Sequence, residues 1–227
     1  MFKFLDKFNS REYGFRNLLC FLLIYIFGSP FISSYPSLSF VAHTLLSLTL
    51  CFSVLAVQKQ QNYRSFAMAA LLPVLILYWL DIYNLIPFSR LGSYSLIALY
   101  YCLLVISFAI QISRSKHITF NLLCATLCLY LIIGLFWGTL YALLYEINPE
   151  AYSGAMLENT KGRQLIVFNY FSMVTLTTLG YGDITPQTPG AAALCQFEAI
   201  IGQFFTAVIV AWYVGNFVAR QDRPKKD

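Results

Sequence analysis

The 227-residue chain has a mean hydropathy of +0.66 and only 11% charged residues, where soluble domains hold about a quarter. With 59% of its residues hydrophobic, including 20 Phe and 16 Tyr, folding in water would leave a very large apolar surface exposed. A water-soluble enzyme, a disordered regulator and a small secreted disulfide scaffold are thereby excluded, and a polytopic membrane protein remains. Six crossings of about 20 residues each use most of the length, leaving short connections and no room for a second folded domain.

A basic segment, 1–16, opens the chain with Lys3, Lys7, Arg11 and Arg16. Apolar runs then follow at 17–34, 39–57, 66–87, 94–113, 118–145 and 191–217. Each is long enough, as a helix rising about 1.5 Å per residue, to cross about 30 Å of hydrocarbon. They lack the alternation of a membrane β-strand, so the expected class is all-α. The first run is not read as a cleaved signal, because no A-x-A-like site follows it and its leader carries Asp6 and Glu12. The third holds Pro73, Asp81 and Pro87; proline is tolerated where neighbours re-satisfy the freed carbonyl. If all six runs cross, Lys59, Arg64, Arg114, Lys116, Arg220, Arg223, Lys225 and Lys226 join the N-terminal cations on one side. Only Arg90, Lys161 and Arg163 fall on the other. The positive-inside rule then places both termini in the cytoplasm and the polar connection 146–164 outside.

A seventh apolar run, 165–177, is too short to cross. Residues 168–177 are expected to form a half-helix of about three turns that enters from outside and stops partway. After it comes Thr178-Leu179-Gly180-Tyr181-Gly182, an extended strand at membrane depth. Such backbone must be shielded by protein or line a water-filled path. Glycine at alternate positions opens conformations closed to residues with a Cβ, so successive carbonyls can face one axis. Four such strands make stacked rings of oxygens that replace the hydration shell of a monovalent cation. The half-helix adds roughly −0.5 of a charge at its C-terminal end.

With Thr177 before it and Asp183-Ile184-Thr185-Pro186 after it, this stretch resembles the signature of the potassium-channel family, and 118–217 resembles the pore module of bacterial members. The resemblance implies six transmembrane helices with a re-entrant pore helix and filter between the fifth and sixth. It implies that Thr178 gives a hydroxyl and a carbonyl to the innermost K+ site, Leu179, Gly180 and Tyr181 give carbonyls above it, and Gly182 forms the outer lip. The Tyr181 ring would turn away from the ion and pack behind the filter. Asp183 would hydrogen-bond there to Tyr170, with Thr177 also in support. Tyr170 stands where many members carry Trp, and Val174 where some carry a buried acid, two departures in the filter's rear support. A homotetramer in a lipid bilayer, here a bacterial inner membrane, would pass K+ passively, with no cofactor beyond the transported ion.

Gly202, twenty positions after Gly182, stands where the family places a hinge in its inner helix; close packing against the fifth run is the other reading. Gln203, Thr206, Val210 and Val214 share one helical stripe, read as facing the cavity and closing at its aliphatic end by dewetting. Gly215 suits a tight crossing of inner helices. Glu198 lies inside a span, where an isolated charge costs about 2.5–3.5 kcal/mol. It must therefore be protonated, hydrogen-bonded or near water, behind the filter, at a subunit contact or drawing ions.

The helix count resembles that of voltage-gated channels, yet 94–113 contains no Lys or Arg. A gating charge is worth about 2.3 kcal/mol per 100 mV, so a span without cations implies weak or no intrinsic voltage gating. The four-helix segment 17–117 is read as a membrane domain lacking a sensor. Within it, Asp81 is expected to pair with Arg90 or a tyrosine. His43 and His117 are solitary. Cys20, Cys51, Cys102, Cys124, Cys128 and Cys195 all sit in apolar runs as small hydrophobes. The tail 218–227 suits anionic lipid, at about 1 kcal/mol per cation, rather than nucleic acid. No nucleophile–base pair or phosphate loop points to an enzyme. The alternative to a channel is a non-conducting regulatory or assembly subunit of a heteromer.

Overall fold

The computed structural model describes residues 14–33, 35, 38–57, 61–83, 89–115, 119–158 and 164–221, with backbone alone at 33, 39, 61–66, 89 and 216–221. Most cations used for the orientation, together with Pro87 and His117, lie outside the described residues or are described by backbone only.

The first run becomes α1 (Gly14–Leu23), a single π-helical turn at Ile24–Gly28, and α2 (Ser29–Ser33). Pro30 has no N–H with which to continue the regular ladder, and the irregular turn ends just before it. There follow α3 (Ser39–Ala56), α4 (Gln61–Ile82), α5 (Ser89–Ser113) and α6 (Phe120–Ile147). Helix α4 continues past Pro73 but ends at Ile82, short of the expected residue 87. Thr119 starts α6 as an N-cap, its hydroxyl accepting from the Leu122 N–H at 3.2 Å. By length and composition, four helical stretches can cross a membrane: Gly14–Ile32, Arg90–Ser113, Phe120–Ile147 and Pro189–Gly215. The apolar parts of α3 and α4, Phe40–Ala56 and Ala67–Ile82, are shorter.

Helix α5 lies along α6, α4 against α5, and α1 against both α3 and α6. Through α1 and α5 the N-terminal helices thus rest on α6 of their own chain. Leu18, Leu22, Leu46, Leu50, Ile97 and Leu104 form the dry seam between them. Polar side chains inside that seam are partnered. The Tyr100 hydroxyl meets the Leu50 carbonyl at 3.1 Å and Ser53 Oγ at 2.9 Å. Likewise His43 Nδ1 lies 2.7 Å from the Tyr78 hydroxyl. Arg90 reaches Asp81 on α4, as expected, and also Glu146 near the end of α6, both at 3.6 Å.

Beyond α6 the chain makes a short 3-10 turn (Pro149–Ala151), strand β1 (Tyr152–Ser153) and α7 (Ala155–Glu158). The half-helix is α8 (Gln164–Leu176), which begins four residues earlier than expected. Strand β2 (Thr185–Pro186) pairs antiparallel with β1, Tyr152 opposite Pro186 and Ser153 opposite Thr185. Helix α9 (Pro189–Gln221) starts with proline in its first turn, where the missing N–H is not needed. The Thr188 hydroxyl caps it by accepting from Ala191.

Candidate functional site

Two glycines bring α8 against α6. A Cβ at Gly134 would strike the Met173 side chain, and one at Gly138 would strike Asn169, whose Cα it would approach to 2.8 Å. Their spacing is Gly-x-x-x-Gly, which lets membrane helices approach backbone to backbone. That signal was present in the sequence and went unread. Behind α8 stands an aromatic wall: Tyr141, Tyr145, Tyr152, Phe168 and Phe171 meet edge-on or tilted, with centroids 5.1–6.5 Å apart. The π-helical turn after α1 reaches the same place, because Asn169 Nδ2 donates to the Tyr25 hydroxyl at 3.0 Å.

Glu198 on α9 is completely buried. Its carboxyl accepts from the Tyr141 hydroxyl of α6 and from Ser172 Oγ of α8, the latter at 2.5 Å. Ser172 also lies 2.6 Å from the Gly134 carbonyl. One carboxyl therefore ties three helices together from behind the half-helix. It is hydrogen-bonded rather than isolated, which offsets part of the burial penalty.

The end of α8 sets up the strand. Thr178 has φ +59°; its N–H bonds the Thr175 carbonyl and the Leu179 N–H bonds the Val174 carbonyl, each at 2.9 Å. This is a Schellman motif, a closure that usually has glycine in the left-handed position. Threonine there is uncommon, since a β-branched residue at positive φ is strained. Gly180 and Gly182 follow at +57° and +78°. Among the described residues no other non-glycine has positive φ, so handedness alternates residue by residue from 178 to 182. Ordinary strands turn successive carbonyls to opposite sides; alternating hand lets them share one side. The two glycines were legible, whereas Thr178 as the third left-handed residue was not.

Among the described residues, every position of this strand is exposed. Leu179 is 55% and Tyr181 66% exposed, and a Cβ at Gly180 or Gly182 would meet nothing within 4 Å. The Tyr181 ring thus stands largely open in the single chain. Above the strand, the Tyr170 hydroxyl donates to Asp183 Oδ2 at 2.6 Å, and Asp183 Oδ1 accepts from the Ile184 N–H. Thr177 Oγ1 bonds back to the Met173 carbonyl at 2.7 Å. The β1–β2 ribbon clamps the strand's outer end. Gly154 sits where any Cβ would collide with the Asp183 carbonyl, and the Gln187 N–H bonds the Ala151 carbonyl at 2.8 Å. This ribbon, whose first strand lies in the polar connection and whose second follows Asp183, carries no periodic sequence signal.

At the strand's inner end, Gly202 lies against the Leu176 carbonyl, where a Cβ would overlap that oxygen. The close packing is therefore against α8, not against the fifth long helix. Gln203 Nε2 donates to Thr178 Oγ1 at 2.9 Å. Thr206 Oγ1 bonds back to the Gly202 carbonyl at 3.0 Å, a pattern that bends helices. Gln203, Thr206, Val210 and Val214 are all exposed, but so are Phe204 and Val208 on other faces. Around Gly215 a Cβ would meet nothing.

Residues 125–219 match the family described as ion channel. The chain is similar to the voltage-gated potassium channel KCNC1 of Mus musculus, 30% identical over 108 residues, which cover 44% of this chain and 21% of that protein. It is equally similar to the KCNC1 channel of Rattus norvegicus, over 18% of that protein. To the two pore potassium channel c of Oryza sativa subsp. japonica it is 40% identical over 53 residues, 23% of this chain and 12% of that protein. The matched part thus spans about a fifth or less of each relative's length.

Proposed function

We propose that this chain, whose residues 125–219 form an ion-channel domain related to the potassium channels, assembles as a homotetramer that passes K+ passively across a membrane. The observation that carries the reading is the alternating backbone of 178–182, positive in φ at Thr178, Gly180 and Gly182. A strand of that form can offer Thr178, Leu179, Gly180 and Tyr181 carbonyls to one ion path. Its exposure in the single chain supports assembly, since backbone of this kind at membrane depth needs protein or a water-filled path on its open side.

In this reading all six long helices cross, both termini are cytoplasmic, residues 17–117 are a peripheral domain and 118–217 the pore. The absence of Lys and Arg from 94–113 and the pairing of Arg90 with Asp81 and Glu146 support weak or no voltage gating. Reconstitution of the purified chain alone in liposomes tests the proposal. Potassium flux well above sodium flux, with the preference lost on Gly180→Ala or Tyr181→Val, is the expected result. Silence until a second protein is added would instead assign the chain to a regulatory or assembly subunit.

A further inference from the structure

Helix α9 meets the base of the strand at two consecutive residues. Gly202 accommodates the carbonyl that ends α8, and Gln203 reaches across 25 positions to the Thr178 hydroxyl. Thr178 is the one non-glycine held at positive φ among the described residues, a conformation that persists only where its surroundings impose it. Two bonds do so: its N–H on the Thr175 carbonyl and the Gln203 amide on its side chain.

A threonine hydroxyl has one donor hydrogen and two acceptor lone pairs, and its rotor is otherwise free. The amide N–H occupies one lone pair. That leaves one lone pair for a cation and fixes the direction in which it points. A free rotor can turn its hydrogen as readily as a lone pair toward the ion, whereas the bonded hydroxyl keeps a lone pair there. The difference bears on which ion is solvated best at this level.

We propose that Gln203 is a specificity-determining residue, which sets the ion preference of the innermost site by fixing the Thr178 hydroxyl. The inference rests on the reading of Thr178 as part of the conduction path. It differs from a general effect of cavity polarity, because it requires reach as well as a polar group. Asparagine keeps the amide but is one methylene too short to span to Thr178 from the same backbone.

The test is the K+-over-Na+ permeability ratio, from reversal potentials of the full-length chain in planar bilayers. Wild type is compared with Gln203→Leu, Gln203→Asn and Thr178→Val, and with Gln203→Leu combined with Thr178→Val. The expected result is that both single Gln203 variants lower the ratio about three- to tenfold, the worth of one net hydrogen bond. In the Thr178→Val background, Gln203→Leu is expected to add nothing, as a coupled pair requires. A wild-type ratio in Gln203→Asn, or a Gln203→Leu effect of equal size with and without the hydroxyl, would overturn the inference while leaving the potassium-channel reading intact. A wild type that does not prefer K+ would overturn that reading and this inference with it.

Discussion

Glu198, Gly202 and Thr178 each look wrong for their surroundings until their contacts are counted: an acid in an apolar span, a glycine in mid-helix, a β-branched residue at positive φ. Glu198 is tolerated because Tyr141 and Ser172 both donate to it. Glu198→Ala takes the carboxyl from the buried Tyr141 hydroxyl and leaves Ser172 only the Gly134 carbonyl, and is expected to lower the stability of the assembled protein by about 1–3 kcal/mol. Glu198→Gln, which still accepts one bond, is expected to lose about half as much, read from thermal unfolding in detergent. Equal stability of all three proteins would remove the carboxyl from this account. Gly202 is tolerated because its missing side chain makes room for the Leu176 carbonyl. Gly202→Ala is expected to destabilise by about 1–3 kcal/mol through overpacking, where a helix interior would otherwise favour alanine by about 1 kcal/mol. The sign of the change in unfolding temperature decides between tight packing and a mere flexible joint.

Among the elements, α8 and its strand were the most legible because their signals are local: an apolar run too short to cross, then glycines at alternate positions. Helix α9 was legible for the same reason, with Pro189 at its start. The ends of α4 and α8 were less so: α4 stops at Ile82 and α8 begins at Gln164. The β1–β2 ribbon and the docking of Tyr25 on Asn169 join residues far apart in the chain, and no window of sequence holds both partners. Asp81 with Arg90 was within reach at nine positions' separation; Glu146, which completes the cluster, was not. Helix α5 offers a direct check on gating. Arg90→Gln removes two ion-pair contacts and is expected to lower stability while leaving the conductance–voltage relation unchanged. A moving charge there would be worth about 2.3 kcal/mol per 100 mV, so a flattened or displaced curve would identify Arg90 as a sensor.

In the molecule as a whole, α1 and α5 rest on α6, and α6 carries α8 through Gly134 and Gly138. Helices α1 and α5 are thereby one helix removed from the strand, and the π-helical turn after α1 touches α8 directly, Tyr25 on Asn169. A displacement of these helices would have a short mechanical route to the 178–182 strand. What the single chain leaves open is the strand's own exposed side and the outer faces of Phe197, Phe204 and Val208, surfaces that neighbouring copies and lipid would cover. Anomalous scattering from Rb+ in the purified, assembled particle locates the ions themselves. The account predicts a column of ion peaks on a four-fold axis, level with the carbonyls of Thr178, Leu179, Gly180 and Tyr181. A particle whose 178–182 strands stand apart, with no ions between them, would contradict it.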